Sequence, residues 1–392
     1  MSRFSVENAA FTNLWGSDQS ATILSITLNE FGFLWNRPRY YTTSFTDGEY
    51  IPTNEKGVAS FTVQAEIPAT STVMDMRAPL GEGQPMEAGE SMEYSGSIKG
   101  FIAPTWKQTA TARDYQEKLM AKYGSDAAIL KGFATNELAP RINAGYQTLD
   151  YIAMKAESTL KARYDIGRGL IGNIYAVPTE FQQKVNAGPK IWTAADADIL
   201  KSIMDIQDSK WNEWGVKIPM QLKVTKKFFQ NVIMKNAGVI NTIKTNWLTD
   251  QGQLVAGISN VSNWVVTEEN FNKYVAASIP DFPKLTIVDS EMLIDRQTVD
   301  PWANGIAVLC PLGYAGRILR TDTLDEEIYT KYGNKACSFA FSRTADGLML
   351  VMNSLLPNGS LTERQTKVVM DATPVITDFQ YRVLIDTTVA NS

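Results

Sequence analysis

The string Gly167-Arg-Gly-Leu-Ile-Gly172 has the spacing of a dinucleotide fingerprint. That fingerprint works when a strand precedes it and a helix comes after, so that backbone amides face a pyrophosphate. Here a helical pattern precedes the string and Pro178 comes soon after it. The string reads as a joint between two parts of the chain. Asp322, Asp325, Glu326 and Glu327 could supply the carboxylate pair of glycoside hydrolysis, but a charge run is more often a solvated surface. No histidine is present, which excludes histidine triads and histidine-held zinc or haem. Cys310 and Cys337 are too few for a four-thiolate site and sit in apolar, strand-like runs, as small buried hydrophobes do. Trp192, Trp211, Trp214, Trp247, Trp264 and Trp302 show no repeated spacing, so they read as packing residues. No catalytic group, cofactor site or metal site is expected.

A different chemistry is suggested by Glu82, Glu87, Glu90 and Glu93, which lie in a stretch without a base from Ala78 to Ile98. They could be a solubilising edge, since charges discourage stray strand pairing. They could equally meet Lys155, Lys223, Lys226 or Lys227 of a neighbouring subunit. Each exposed pair is worth at most ~1 kcal/mol, so such contacts would set register and association rate more than stability.

These glutamates ride on an extended arm. Phe61, Val63, Ala65 and Ile67 share one parity against Thr62, Gln64 and Glu66, the mark of a half-buried strand. A Gly- and Glu-rich tip comes next, and a second limb returns with Tyr94, Ile98 and Ile102 in phase. At about 3.3 Å per residue, two limbs of roughly 20 residues make a hairpin on the order of 60 Å long. A lone two-stranded hairpin is marginal in water, so its apolar face is expected to lie on another copy of the chain. That predicts an assembly protein.

The 392 residues suffice for a sizeable core, and 44% apolar with 20% charged residues is the composition of a folded chain. No stretch approaches a membrane span, and the start lacks a signal-peptide layout, so a cytoplasmic setting is expected. The net charge of −5 lies in residues 1–110, where 7 basic residues face 12 acidic ones. No basic stripe for sequence-specific nucleic-acid binding is present. Helical periodicity predicts helices at 112–123, 126–138 and Pro140–Lys161. In the last, Ile142, Tyr146, Leu149, Ile152, Ala156 and Leu160 form one stripe. A mixed α/β block comes after it. Its expected helix starts are Thr193–Asp196, Thr225 and Thr267, with the Thr225 helix ended by Gly238. Strands are expected at Ile218–Val224, Leu285–Val288, Ile306–Leu309, Ala336–Phe341, Leu348–Met352 and Pro374–Ile385. In the last run Arg382 is expected to face away from the core. The glycines Gly48, Gly100 and Gly167–Gly172 are the expected hinges.

This order resembles the major capsid proteins of tailed bacteriophages, an α+β architecture called the HK97 fold, closest in pattern to the lambda-like branch. The resemblance is carried by Trp35-Asn-Arg-Pro-Arg-Tyr-Tyr41, Ser97-Ile-Lys-Gly-Phe-Ile-Ala-Pro-Thr-Trp106, Asn304-Gly-Ile-Ala-Val-Leu-Cys-Pro-Leu-Gly313 with Arg317-Ile-Leu-Arg320, and Ala372–Ile385. It implies an N-terminal arm (1–45), a hairpin E-loop (46–109), a P-domain helical part with the spine helix (110–175), an A-domain (176–330) and returning P-domain strands (331–392). It implies pentamers and hexamers in an icosahedral virion head assembled in the host cytoplasm. The shell would enclose double-stranded DNA with non-specific contacts, and would involve a portal, a separate scaffolding protein and decoration proteins. With no lysine between Lys56 and Lys99, a non-covalent shell is expected. An encapsulin-type compartment on the same fold, or a carboxylate-dependent carbohydrate-active enzyme, are the alternatives.

Overall fold

A computed structural model describes residues 39–54, 58–67, 89–103, 106–108, 138–166, 172–250, 266–276, 278–294, 296–332, 339–344, 346–355 and 364–391. The expected N-terminal arm up to residue 38, the tip of the hairpin, the helices at 112–123 and 126–137, and residues 167–171 of the glycine string lie outside these.

In chain order the elements begin with α1 (Tyr40–Ser44), β1 (Phe45–Tyr50), β2 (Ser60–Ile67), β3 (Glu90–Ser97), β4 (Gly100–Ile102) and β5 (Trp106–Gln108). Next come α2 (Ala139–Thr159), β6 (Lys161–Tyr164), β7 (Gly172–Ala176), β8 (Gln183–Asn186), α3 (Ile199–Trp214), β9 (Met220–Thr225), α4 (Lys226–Asn231) and α5 (Ala237–Asp250). Then come α6 (Glu268–Phe271), β10 (Lys284–Val288), β11 (Met292–Ile294), β12 (Gln297–Val299), β13 (Ile306–Pro311) and β14 (Gly316–Arg320). The chain ends with α7 (Leu324–Tyr332), β15 (Phe339–Arg343), β16 (Met349–Leu355), β17 (Arg364–Ile376) and β18 (Val383–Asp386). Helices and strands alternate irregularly, an α+β chain. It divides into two discontinuous compact units, one from 1–61, 96–153 and 317–375, the other from 62–95, 154–316 and 376–392.

The first unit is built on a seven-stranded sheet, β1-β14-β17-β16-β15, with β4 and β5 also paired to β17. The long β17 therefore carries the exit limb of the arm, with Asp371 opposite Gly100 and Thr366 opposite Trp106. Ile142, Tyr146, Leu149 and Ile152 of α2 are buried as the stripe predicts, and Gly145 lets the helix approach Met349. The Arg39–Tyr41 run is clamped here. Arg39 lies 3.5 Å over the Tyr146 ring, Tyr41 stacks on the same ring, and the Tyr41 amide donates to Asp150 at 3.0 Å. Gly48 and Gly100 are close-approach positions in strands. A Cβ would meet the Ile318 carbonyl oxygen at 2.6 Å in one case and Asp371 Oδ1 at 2.5 Å in the other.

In the second unit the arm limbs are not bare, which corrects the expectation. They continue into a four-stranded sheet, β2-β3-β7-β6. Val63, Ala65, Met92 and Tyr94 are buried within the chain itself. The physical reason is a local partner invisible in the arm's own sequence. Tyr94 stacks on Tyr175 of β7, meets Phe379 edge-on, and donates its hydroxyl to the Ile376 carbonyl. The other sheet, β10-β9-β13-β18-β8, pairs β9 in parallel with β10 and antiparallel with β13. It packs with α3, α4 and α5 around Trp192, Ile203, Trp214, Leu222, Phe229, Phe271 and Leu309. Burying each such side chain is worth ~1.5–3 kcal/mol.

Several element ends differ from expectation for local reasons. α2 stops at Thr159, so Lys161 and Arg163 lie on β6 instead of loading a helix end. Ser158 and Thr159 turn their hydroxyls back to the Met154 and Lys155 carbonyls, and Leu160 adopts φ +56°, a left-handed stop that its complete burial offsets. α3 is capped by Asp198, whose carboxylate accepts from the Lys201 amide, not by the Thr193–Asp196 box. Thr225 and Thr267 cap as expected. Gly238 does not end the Thr225 helix: α4 stops at Asn231, and Gly238 falls in the first turn of α5. The Asn236 side chain accepts from the Val239 amide at that helix start. The expected strand Pro374–Ile385 is broken by a helical turn at Phe379–Tyr381, which joins β17 to β18.

Candidate functional site

The strongest concentration of chemistry among the described residues is a buried ion network in the second unit. β9 alternates strictly: Met220, Leu222 and Val224 enter the apolar core, which leaves Gln221 and Lys223 on the opposite, also buried, face. Lys223 Nζ meets Glu157 Oε2, on the last turn of α2, at 2.8 Å. The same oxygen takes Arg382 Nη1 at 3.1 Å. Arg382 also forks onto Asp378, Nε to Oδ1 at 3.0 Å and Nη2 to Oδ2 at 2.8 Å. Arg382 and Glu157 have no solvent exposure. The break at Phe379–Tyr381 is what turns Arg382 inward, correcting its expected outward position.

Two cations balance two anions, the condition under which buried charges persist. Burial pushes the Asp378 carboxyl above its ordinary value, against the pull of Arg382. Burial would lower Arg382, but Asp378, Cys310 and Glu157 more than reverse this. Cys310 beside the network is pushed up to about 11 by burial, so its thiol stays protonated and inert. Such a network positions three elements, the end of α2, the middle of β9 and the turn before β18. Its members are all engaged with one another, in a geometry suited to holding a fold rather than a substrate.

Of the residues singled out in the sequence, Glu82 and Glu87 lie outside the described residues. Glu90 and Glu93 are exposed on β3, where Gln64 of β2 donates to Glu93 at 3.3 Å. Lys226 and Lys227 are exposed at the start of α4, and Lys227 pairs with Glu291. Lys155 sits 3.9 Å from Asp165. Lys223 is removed from the candidate contact surface because it is buried against Glu157. Asp322 and Glu326 both bind Arg343, and Glu327 accepts from Thr53, so this run is tied into the first unit. Of the glycine string only Gly172 is described, and it opens a strand. Trp192 and Trp302 each donate to a backbone carbonyl at 2.8 Å, while Trp211 and Trp214 are buried in the core; Trp264 lies outside the described residues. The network was missed because Glu157, Lys223, Asp378 and Arg382 are far apart in the chain. The one available signal was Lys223, a charge inside an otherwise apolar strand.

No known family profile matches this chain, and no curated protein does. Solved structures similar to it include a prophage protein of E. coli CFT073 ascribed to the capsid, at 12% identity and a TM-score of 0.47, covering 94% of this chain and 98% of that one. A phage-related protein from Bordetella bronchiseptica RB50 is similar at 10% identity and a TM-score of 0.42, covering 94% and 97%. The capsid of cyanophage A-1(L) is similar at 10% identity and a TM-score of 0.42, covering 90% and 96%. None of these reaches a TM-score of 0.5, so the function of the chain has to rest on its own residues and the order of its elements.

Proposed function

We propose that this chain is a shell subunit, the major capsid protein of a tailed-phage type of icosahedral head with the HK97 fold. One observation carries this reading, the order in which the elements are laid down. An acidic extended arm (β2, β3) is followed by a single 21-residue helix, α2, and then by an α/β block. The chain then returns to complete both large sheets, with β17 in the seven-stranded one and β18 within the five-stranded one. This is the order that the resemblance of the sequence implies. The charge pattern supports it too, since Glu66, Glu90 and Glu93 are exposed on the arm.

In this reading the chain binds copies of itself in pentamers and hexamers, and the arm's glutamates contact Lys155, Lys226 and Lys227 of neighbours. The packaged double-stranded DNA is held without sequence recognition. Portal, scaffolding and decoration proteins are the further partners. We assign the chain no catalytic role, because its conspicuous carboxylates are tied to Arg343, Arg382 and Lys223.

The test is electron microscopy with light scattering on the purified full chain, alone and with the scaffolding protein of its genome. Rings, tubes or closed shells are expected. A persistent 43.5 kDa monomer under every condition would overturn the reading. Particles filled with a cargo protein rather than DNA would replace the capsid by an encapsulin-type compartment. Replacing all four arm glutamates by glutamine should weaken the salt dependence of assembly; an unchanged dependence refutes the arm contacts.

A further inference from the structure

The exit limb of the arm is fastened to the first unit by β4, and the fastening is slight. The strand is three residues long, and its Ile102 is 60% exposed. Its ladder to β17 spans Gly100–Ile102, with one further bond from the Ala103 amide to the Val368 carbonyl at 2.9 Å. A seam with so few bonds and so little buried apolar surface is among the first to open. Asp371 of β17 stands opposite Gly100, and its own carbonyl takes the Thr321 amide at 3.0 Å, so the end of β14 and the start of β4 meet on this one residue. Its half-buried carboxylate lies against the Gly100 backbone, where a Cβ would come within 2.5 Å of Oδ1. The charged groups around it are acidic or already engaged. α7 opens with Asp325, Glu326 and Glu327. Arg343 is held by Asp322 and Glu326, Arg317 by Glu49, and Arg320 donates to the Gly347 carbonyl at 3.2 Å. On β17 the nearest charged residue is Lys367, four positions away; β4 carries none, and Lys99 just before it is exposed. Burial, then Glu326, Asp325 and Glu327, push the Asp371 carboxyl up to about 6.

We propose that Asp371 is a pH-sensitive latch on the arm: protonated, it leaves β4 seated on β17, and ionised, it drives the exit limb off that strand. The ionised carboxylate is pressed against a neighbouring backbone beside three like charges, and opening β4 returns it to water. The neutral acid carries no such cost. With a pKa of about 6 in the seated limb and the ordinary ~3.9 in the open one, the opening equilibrium shifts about tenfold toward the open form from pH 5 to pH 7.5. The grip therefore tightens as pH falls. The device lies within one unit of one chain, so it does not depend on the shell-forming reading.

The experiment is amide hydrogen exchange read by mass spectrometry on the dilute, unassembled full chain at pH 5 and pH 7.5, with rates corrected for the intrinsic pH dependence of exchange. Peptides covering residues 100–103 should lose protection about tenfold at the higher pH. Peptides covering residues 350–353 of β16, on the ladder to β17, should not change. Asp371→Asn should keep residues 100–103 as protected at pH 7.5 as at pH 5. Asp325→Asn, which removes one of the three neighbouring charges, should shrink the wild-type change. A wild-type chain with equal protection at both pH values, or an Asp371→Asn chain that changes as much as wild type, would overturn the latch. So would an equal loss at residues 350–353, because the effect would then be on the whole unit. All three leave the shell reading intact.

Discussion

Replacing Arg382 by methionine keeps most of the side chain's volume and removes only the guanidinium, so it isolates the electrostatics of the buried network. In the native chain that group gives Asp378 two hydrogen bonds and Glu157 one. Without it, two carboxylates face the single ammonium of Lys223, which pairs directly with Glu157. Asp378 must then bury a charge without its cation or take up a proton. Breaking a buried ion pair from one side costs ~3–5 kcal/mol, a factor of at least about a hundred in the folding equilibrium. The cost should depend on pH with a definite sign. A buried carboxylate without its cation has a folded-state pKa above its unfolded value, so the folded form binds the extra proton and stability rises as pH falls. Arg382→Met should therefore be weakest at pH 7–8 and recover part of its loss as pH falls toward 5. The assay is urea unfolding of dilute, unassembled chain by tryptophan fluorescence, since Trp214 packs edge-on to Tyr381 within the same unit at 5.2 Å. A loss below ~1 kcal/mol at neutral pH, or a loss independent of pH, would refute the network's place in holding these elements together.

Asp371 gives a second pH signature. Its carboxyl is pushed up to about 6, above the unfolded value, by burial and then by Glu326, Asp325 and Glu327. The stability it contributes is present below pH ~4 and lost as pH rises through about 6. Asp371→Asn should flatten melting temperature against pH over that window and stabilise the chain at neutral pH by on the order of 1–2 kcal/mol, discounted for partial exposure. Gly48→Ala should destabilise the first unit by ~1–3 kcal/mol, because the new Cβ would meet the backbone oxygen of Ile318, which cannot swing aside; thermal unfolding measures it. In a Cys337→Ser background, Cys310 should resist a thiol reagent at pH 8 until denaturant is added, given its complete burial and a thiol pushed up to about 11. Rapid labelling of the native chain would contradict that burial.

How much was legible in the sequence depends on how local the physics is. The stripe of α2, the caps at Thr225 and Thr267, and the strands of the α/β block depend on neighbours within four residues, and these appear in the structure. The cap of α3 went to Asp198 because the chain makes successive turns through 192–196 before the helix begins, and one-dimensional spacing does not show them. Arm burial was misjudged for a similar reason. The alternation at Phe61–Ile67 correctly marked an apolar face, but on the returning limb Tyr94 is covered by Tyr175 and Phe379, more than eighty and nearly three hundred residues further along the chain.

Lys223 shows where parity alone misleads. Alternation in β9 separates an apolar face from a polar one, and a polar face is ordinarily a wet face. Here both faces are covered, so the polar residues must find partners inside the protein or not fold there at all. The requirement is strict enough to be read backwards. A lysine in a strand covered on both faces implies a buried carboxylate, and that carboxylate must come from whatever covers the second face. In this chain the cover is the end of α2, and Glu157 lies on the turn that reaches β9. One carboxylate against Lys223 and Arg382 would leave a positive residue of charge, so a second acid is required, and Asp378, four residues before Arg382, supplies it. The network is thus a neutral set of two cations and two anions, with Asp378 offsetting the second cation, Arg382. Lys226 and Lys227, at the start of α4, are exposed instead, and Lys227 pairs with Glu291.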